Sequence, residues 1–275
     1  MVNSRVWGSM RSALHQVLRD AVSGVPITFG CPATGVDPQP DGVRVVRSDG
    51  REQNVDFVVG ADGLGSTVRR LTLGTPTVRT VLERAVRWLA RRSDGLDAWT
   101  LFAGPLGQLL AIPVSDDEVY CYASRPDAPA DIDLVEWIAP FGQSASPLGG
   151  LVDARTTDLQ DSSITEVEIP DSWGVGRVVV IGDAAHGIAP YMAQGGSVAL
   201  EDALAVARIV SDPGTGDAAA ARLTADRAER TVWVQAKKRR RERLANLPLP
   251  MTKLGMRMVG KRSWIADLAP LSPLR

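Results

Sequence analysis

The stretch VVVIGDAAHGIAPYMAQGGSVALEDALAVARIV, residues 178–210, constrains the fold of this chain more than any other. Val178, Val179, Val180 and Ile181 form an apolar run suited to a strand buried on both faces. Gly182 and Asp183 end that run where an α/β sheet presents its ligands, just beyond the carboxyl end of the strand, and leave the aspartate free for a polyol hydroxyl. After a glycine-rich loop, Gln194, Gly195, Gly196 and Ser197 lead into a helix with apolar Val198, Leu200, Ala203, Leu204 and Ala207 at helical spacing. The first N–H groups of such a helix have no intrahelical partner, so they converge on the loop mouth and suit an anionic or electron-rich ring.

The rest of the composition narrows the choices. With 275 residues the chain can bury a full core and form about two domains. A formal net charge of −1 gives no electrostatic case for nucleic acid or an anionic membrane as partner. Cys31 and Cys121 stand far apart without a partner motif, so neither a disulfide framework nor a zinc site is indicated, and a reducing cytoplasm is the simplest location. No apolar run approaches the roughly 18 residues of a membrane span, and the opening MVNSRVWGSMRSALHQ lacks the apolar core of a signal peptide.

Residues 9–22 place Met10, Ala13, Leu14, Val17, Leu18 and Ala21 on one face of an amphipathic helix. After Gly24, the runs ITF, GVRVVRS and VDFVVGADG read as strands separated by turns, among them Pro40-Asp41-Gly42 and Ser48-Asp49-Gly50, with 55–59 as a second buried run. Between residues 75 and 168 the texture changes to short alternating strands, LLAIPV and EVYCYAS, several prolines and an amphipathic piece at 133–141, the pattern of a separate substrate domain inserted between two sheet segments. From Asp217 the chain is helical and charged and ends in a proline-punctuated tail, 246–275.

A second turn echoes the first. Residues 56–63, DFVVGADG, again deliver an aspartate, Asp62, beside Gly60 and Gly63, followed by Ser66, Val68 and Arg69. Two strand-ending aspartates, each next to glycines that admit close backbone approach, suggest one extended cofactor touched at two places. Together, GADGxxSxVR and GDAAHxxxPxxxQG resemble the two later fingerprints of the FAD-dependent aromatic-ring hydroxylases, the class A flavoprotein monooxygenases that include para-hydroxybenzoate and salicylate hydroxylase. Arg11 and Leu14 resemble the family's Arg-x-x-Leu segment, and Pro190, Gln194, Gly195 and Glu201-Asp202-Ala203 fall in its register, so the likeness runs from about residue 10 to 210.

The resemblance implies an α/β fold: a truncated FAD/NAD(P)-binding domain of glutathione-reductase-like type, an inserted mixed-sheet substrate domain, and C-terminal helices. The implied boundaries are 1–74 and 169–211 for the FAD-binding part, 75–168 for the substrate domain and 212–275 for the helical region. It further implies that Asp183 bonds the ribityl chain and that the N–H groups from Gln194 to Ser197, with Gly182 and Gly195 shaping the loop, support negative charge on the flavin ring. Asp62 and Gly63 would lie by the pyrophosphate and the nicotinamide path, and Arg11 by the ribose or pyrophosphate. The family's opening strand, GxGxxG turn and helix do not stand before Met10. Three explanations stay open: a fragment or misplaced start, a split enzyme whose missing dinucleotide-binding unit comes from a second chain, or a degenerate protein. Ala193 also replaces the first glycine of the frequent GQG triplet.

His186 and His15 read as structural, His186 bonding its own loop, and KKRRRER at 237–243 reads as a solvated helix face rather than a nucleic-acid site. Trp88, Trp137 and Trp173 suit core packing, whereas Trp99, Leu110, Ile112, Tyr120 and Tyr122 are candidate walls of a substrate pocket; the tyrosine strand equally fits a half-buried sheet. No side chain stands out as catalytic and none as a metal ligand. The expected function is an FAD-dependent, NAD(P)H-using monooxygenase that places one atom of dioxygen on an aromatic or polyketide-like small molecule. The alternatives are a cofactor-free remnant serving as a binding or accessory protein, and a related flavoprotein halogenase or reductase.

Overall fold

The computed structural model describes residues 8–104, 106–125, 131–143, 149–190 and 193–245, apart from the side chains of Glu83, Ala103 and residues 241–245; the tail 246–275 lies outside the described residues. Helix α1 (Arg11–Ala21) precedes strands β1 (Ala33–Gln39), β2 (Gly42–Arg47), β3 (Glu52–Val55) and β4 (Val58–Gly60), then helix α2 (Thr67–Thr72). Strands β5 (Val78–Arg91), β6 (Thr100–Gly104), β7 (Gly107–Pro113) and β8 (Glu118–Ser124) follow, with α3 (Leu134–Gly142), α4 (Gly150–Asp153) and β9 (Gln160–Val167). The chain closes with β10 (Gly174–Val175), β11 (Val178–Val180), α5 (Asp183–His186), α6 (Gly195–Val210) and the long α7 (Ala219–Ala245).

Two compact units result. Of the described residues, one comprises 8–26 and 82–164, the other 27–81 and 165–245. In the first, an antiparallel sheet in the order β6-β7-β8-β5-β9 buries one face under α3 and α4. Period-two alternation decides which face: Leu109, Ala111, Cys121, Ala123, Val86 and Trp88 point into a core shared with Trp137, Ile138 and Phe141 of α3. Asp133 starts α3 by accepting from the N–H of Val135 at 2.8 Å, and Trp88 satisfies its indole on the carbonyl of Leu151 at 3.0 Å.

In the second unit, the meander β1-β2-β3 stands beside a sheet of order β10-β11-β4. Strand β11 is the centre of this sheet. Its three valines are fully buried because β10 and β4 flank it and α2 and α7 contact it. Trp173, Ala205, Val206, Ile209 and Leu223 complete the core around it.

Several expectations are corrected. ITF forms no strand: Pro26 and Pro32 remove donors on either side, and Phe29 is 72 % exposed. Residues 55–59 are not one buried run, because the chain leaves β3 at Val55 and restarts as β4 at Val58, with Val59 exposed. Strand β1 carries Pro38, which an edge strand tolerates, and went unanticipated, as did the arginine-rich β5. The largest correction concerns α6. Its buried stripe is Val198, Asp202, Ala205, Val206 and Ile209, whereas Leu200 and Leu204 are about half exposed and Ala203 and Ala207 also face outward. Within 237–243, Lys238 is not solvated but fully buried, its ammonium paired with Glu166, which also binds Arg79 at 2.7 Å.

Candidate functional site

The site begins with two parallel strands. Val58, Val59 and Gly60 of β4 register with Val178, Val179 and Val180 of β11, and the N–H of Ile181 donates to the carbonyl of Gly60 at 2.9 Å. Their carboxyl ends therefore leave the sheet side by side, and the turns bearing Asp62 and Asp183 share one edge of the second unit. Gly60 is required by packing: a Cβ there would lie 2.7 Å from that of Val68 and 3.1 Å from a methyl of Val180. Gly182 is required by conformation. Its φ of 57° and ψ of −139° are open only to glycine.

The two aspartates have different duties. Asp62 Oδ1 accepts from Ser66 Oγ at 2.5 Å, and Oδ2 accepts from the N–H groups of Thr67 at 2.7 Å and Val68 at 3.1 Å. Ser66 Oγ in turn accepts from the N–H of Arg69, so the pair caps α2. Partial burial pushes the Asp62 carboxyl up, but these donors outweigh it and hold it below the usual carboxylate range. Gly63, at φ 78°, turns the loop between them. Asp183, by contrast, is exposed at the start of α5, and among the described residues nothing hydrogen-bonds or ion-pairs with its carboxylate.

Gly182, next to Asp183, packs on α6, where a Cβ on it would lie 3.2 Å from that of Ala199. The carbonyl of Pro190 accepts from the N–H of Ala193 at 3.0 Å, closing the loop, and Ala193 takes a left-handed φ of 51°. Gln194 is the N-cap residue, yet its side chain does not cap the helix. Among the described residues no acceptor meets the N–H groups of Gly195, Gly196 and Ser197, and the space beside both glycines is open. This is a helix end with its positive pole uncovered.

A buried charge network holds these turns, and sequence reasoning missed it. Asp202 is wholly buried; its Oδ2 accepts from the N–H of Gly182 at 3.0 Å and meets His186 Nε2 at 2.6 Å, and its Oδ1 accepts from Arg227 Nε at 2.8 Å. Burial alone would push the carboxyl of Asp202 up, yet His186, Arg227 and Gly182 together hold it below the ordinary range. His186 thus bonds a carboxylate rather than its own loop, and it is fully buried, which fits a structural role. Arg227 Nη2 reaches Glu201 Oε2 at 2.6 Å, and Arg230 joins Glu201 to Gln194. From the other turn, the buried Arg69 donates to the carbonyls of Ala184 at 3.1 Å, Ala185 at 3.3 Å and Glu168 at 2.6 Å, tying α2 to α5. One sequence signal could have found Asp202: it lies on the stripe of Val198, Ala205, Val206 and Ile209 at spacings of four, three, four and seven.

The pocket candidates lie in the other unit. Leu110 pairs with Tyr122 and Ile112 with Tyr120 across β7 and β8, so these four share the sheet face turned away from α3, with Arg87 of β5 opposite Tyr122. Arg87 bonds Ser162 Oγ and its guanidinium carbon lies 5.7 Å from the centre of the Tyr122 ring. Burial pushes the Tyr120 phenol up, with Arg87 opposing. Burial also drives the Cys121 thiol up to about 12, as expected of an inert core thiol. Trp99 is half-buried just before β6, and Arg11 is exposed at the start of α1. Among the described residues no helix is long and apolar enough to cross a membrane, and no group of three His, Cys, Asp or Glu could hold a metal ion.

Comparison with known proteins follows the same lines. The family model for an FAD binding domain matches residues 153–240. The aurachin C monooxygenase/isomerase of Stigmatella aurantiaca is 32 % identical over 238 residues, 81 % of this chain and 59 % of that protein. An FAD-dependent urate hydroxylase of Mycolicibacterium vanbaalenii is 30 % identical over 257 residues, 87 % of this chain and 64 % of its own. The chain thus spans about three fifths of the length of these curated relatives. The crystal structure of Klebsiella pneumoniae HpxO complexed with FAD and uric acid superposes with a TM-score of 0.85 at 26 % identity, covering 95 % of this chain and 72 % of that one. With its two aspartate turns on adjacent parallel strands, the chain is similar over most of its own length to FAD-dependent aromatic-ring hydroxylases.

Proposed function

We propose that the second unit holds the flavin end of FAD and that the protein serves an NAD(P)H-using monooxygenase acting on an aromatic or polyketide-like small molecule. What supports this reading is an exposed carboxylate, Asp183, without a partner among the described residues, in the turn whose Gly182 packs on α6, a helix with no side-chain cap at its N-terminus. Both features suit the group: a polyol chain offers hydroxyl donors to a carboxylate, and a flavin ring offers acceptors and developing negative charge to N–H donors. When bound, FAD supplies the redox chemistry, passing two electrons from NAD(P)H to dioxygen so that one oxygen atom enters the substrate and the other leaves as water.

Everything else falls to the chain. Asp183 would accept a hydrogen bond from a hydroxyl of the polyol and so help to fix the ring's lateral position. The N–H groups of Gly195, Gly196 and Ser197 stabilise negative charge at the ring edge, and the two glycines let the ring approach the backbone. Asp62, engaged in its own turn, acts by holding the loop of Gly63 in shape. Pro190 and Gly182 set the loop geometry around them. Leu110, Ile112, Tyr120, Tyr122 and Trp99 supply an apolar wall that orients a ring substrate and excludes water.

Titration of the purified chain with FAD, followed by flavin fluorescence and absorbance, tests the reading. Saturable uptake that Asp183→Ala weakens about tenfold, the worth of one hydrogen bond to a charged group, supports it. A chain that ignores added FAD is a binding or accessory protein instead. Product analysis under labelled dioxygen then separates hydroxylation from halogenation or reduction.

A further inference from the structure

The network behind α6 reaches the cofactor edge through one side chain. Gln194 is buried, yet its amide does not cap its own helix; its Oε1 accepts from Arg230 Nη2 at 3.0 Å. Arginine has only donors, so the amide oxygen must face it and the amide NH2 must turn the other way. Among the described residues that NH2 makes no hydrogen bond of its own. Arg230 is itself fixed, with Nε on Glu201 Oε2 and Nη2 on Glu201 Oε1, both at 3.1 Å, and its guanidinium 5.2 Å from the ring centre of Trp233. Glu201 shares Arg227 with Asp202, and Asp202 holds the N–H of Gly182. One buried chain of charges on α7 and α6 therefore sets both the Gly182 turn and the amide of Gln194.

We propose that Arg230 is a positioning residue for the cofactor: it fixes the Gln194 amide so that its NH2 joins the free N–H groups of α6 as one donor set for the acceptor edge of a planar, electron-poor ring. This rests on the reading of the α6 end as the flavin-facing site. The donor set is built before any ligand arrives, so its orientation costs nothing on binding. A lysine at 230 would keep the charge beside Glu201, but its single ammonium lacks the planar fork that serves carboxylate and amide together.

The test uses the full chain and its R230K, Q194A and double variants, titrated with FAD, with thermal melts alongside and the midpoint potential of bound FAD as a second readout. R230K is expected to melt near the wild type, to bind FAD about tenfold more weakly and to lower its midpoint potential, because fewer donors then support the reduced ring. Q194A should show the same losses, and the double variant should be no worse than the weaker-binding single one, the mark of one coupled device. Unchanged affinity and potential in a folded R230K, or fully additive losses, overturn the assignment. Should R230K lose its fold, Q194A leaves the Arg230–Glu201 pair intact and decides alone: unchanged FAD binding there refutes the proposal. A wild-type chain that takes up no FAD instead brings down the underlying reading of the site, and the assignment with it.

Discussion

Replacing Asp202 by asparagine changes almost no volume, yet the structure makes it a severe lesion. Three donors converge on the carboxylate: the N–H of Gly182, His186 Nε2 and Arg227 Nε. Asparagine has one acceptor oxygen. If that oxygen faces Arg227, the new NH2 points at the N–H of Gly182, donor against donor, and leaves a buried backbone group unpaired at about 1–3 kcal/mol. His186 could take the NH2 on Nε2 only by moving its proton to Nδ1, which has no partner in its buried position, a second orphan of about 1–3 kcal/mol. Arg227 keeps Glu201, so its loss is smaller. The total, about 2–6 kcal/mol, brackets the roughly 3–5 kcal/mol that removing one member of a buried ion pair usually costs. At roughly 2–4 °C per kcal/mol for about 3–5 kcal/mol, the melting temperature should fall by about 6–20 °C. Circular dichroism melts of D202N and wild type measure this directly, with D183A as the contrast, since Asp183 has no partner among the described residues and D183A should melt within about 1 °C of wild type. A D202N variant that melts within about 2 °C of wild type refutes the view that this carboxylate anchors the turn.

Ala193→Gly should stabilise the chain: relief of the left-handed φ gains about 1–2 kcal/mol and the freer unfolded glycine returns about 0.4–1, so a urea midpoint that moves down contradicts the strain. Acid should destabilise in a defined window. Asp62, Glu201 and Asp202 all titrate below their ordinary values when folded, so their stabilisation is fully present above the unfolded carboxyl range near pH 4 and is lost as pH falls through the lower folded values. Denaturation midpoints across pH 2–6 should drop below about pH 4, less steeply in D202N, and equal slopes would exclude Asp202 as a contributor. Arg69→Met removes the donor for three carbonyls and should cost about 2–4 kcal/mol in chemical denaturation, together with weaker FAD uptake; a variant as stable as wild type would show that those carbonyls find other partners.

What the sequence disclosed and what it hid follow from how far each signal reaches. Strand β11 and the turn after it were legible because burial on both faces shows as an unbroken apolar run, and because Gly182 marks a backbone that only glycine adopts. The buried face of α6 was misread for the opposite reason: its centre is a carboxylate. Asp202 is acceptable there only through His186, 16 residues before it, and Arg227, 25 residues after it. Lys238 was taken for a solvated residue because its neighbours are solvated, while its partner Glu166 lies 72 positions away. Pattern reading judges residues one at a time, and a buried charge makes sense only as a pair. Strand β5 hid its nature in the same way, since four arginines at positions 79, 84, 87 and 91 mask an alternation that only pairing with β8 exposes.

The two aspartate turns show how near-identical motifs diverge. Each follows a strand, each lies beside glycine, and each precedes a helix. The first helix, α2, has its donors covered from within by Asp62 and Ser66, so the turn is finished without a ligand. The second keeps its donors open at α6 and its carboxylate open at Asp183, an arrangement that would relax in a free loop by the side chains turning onto the nearest N–H groups. It persists because the residues that could do so are held elsewhere: Gln194 by Arg230, and the backbone of Gly182 by Asp202. The ion network between α6 and α7 therefore holds Gln194 and the Gly182 turn in place, while the carboxylate of Asp183 stays open to solvent.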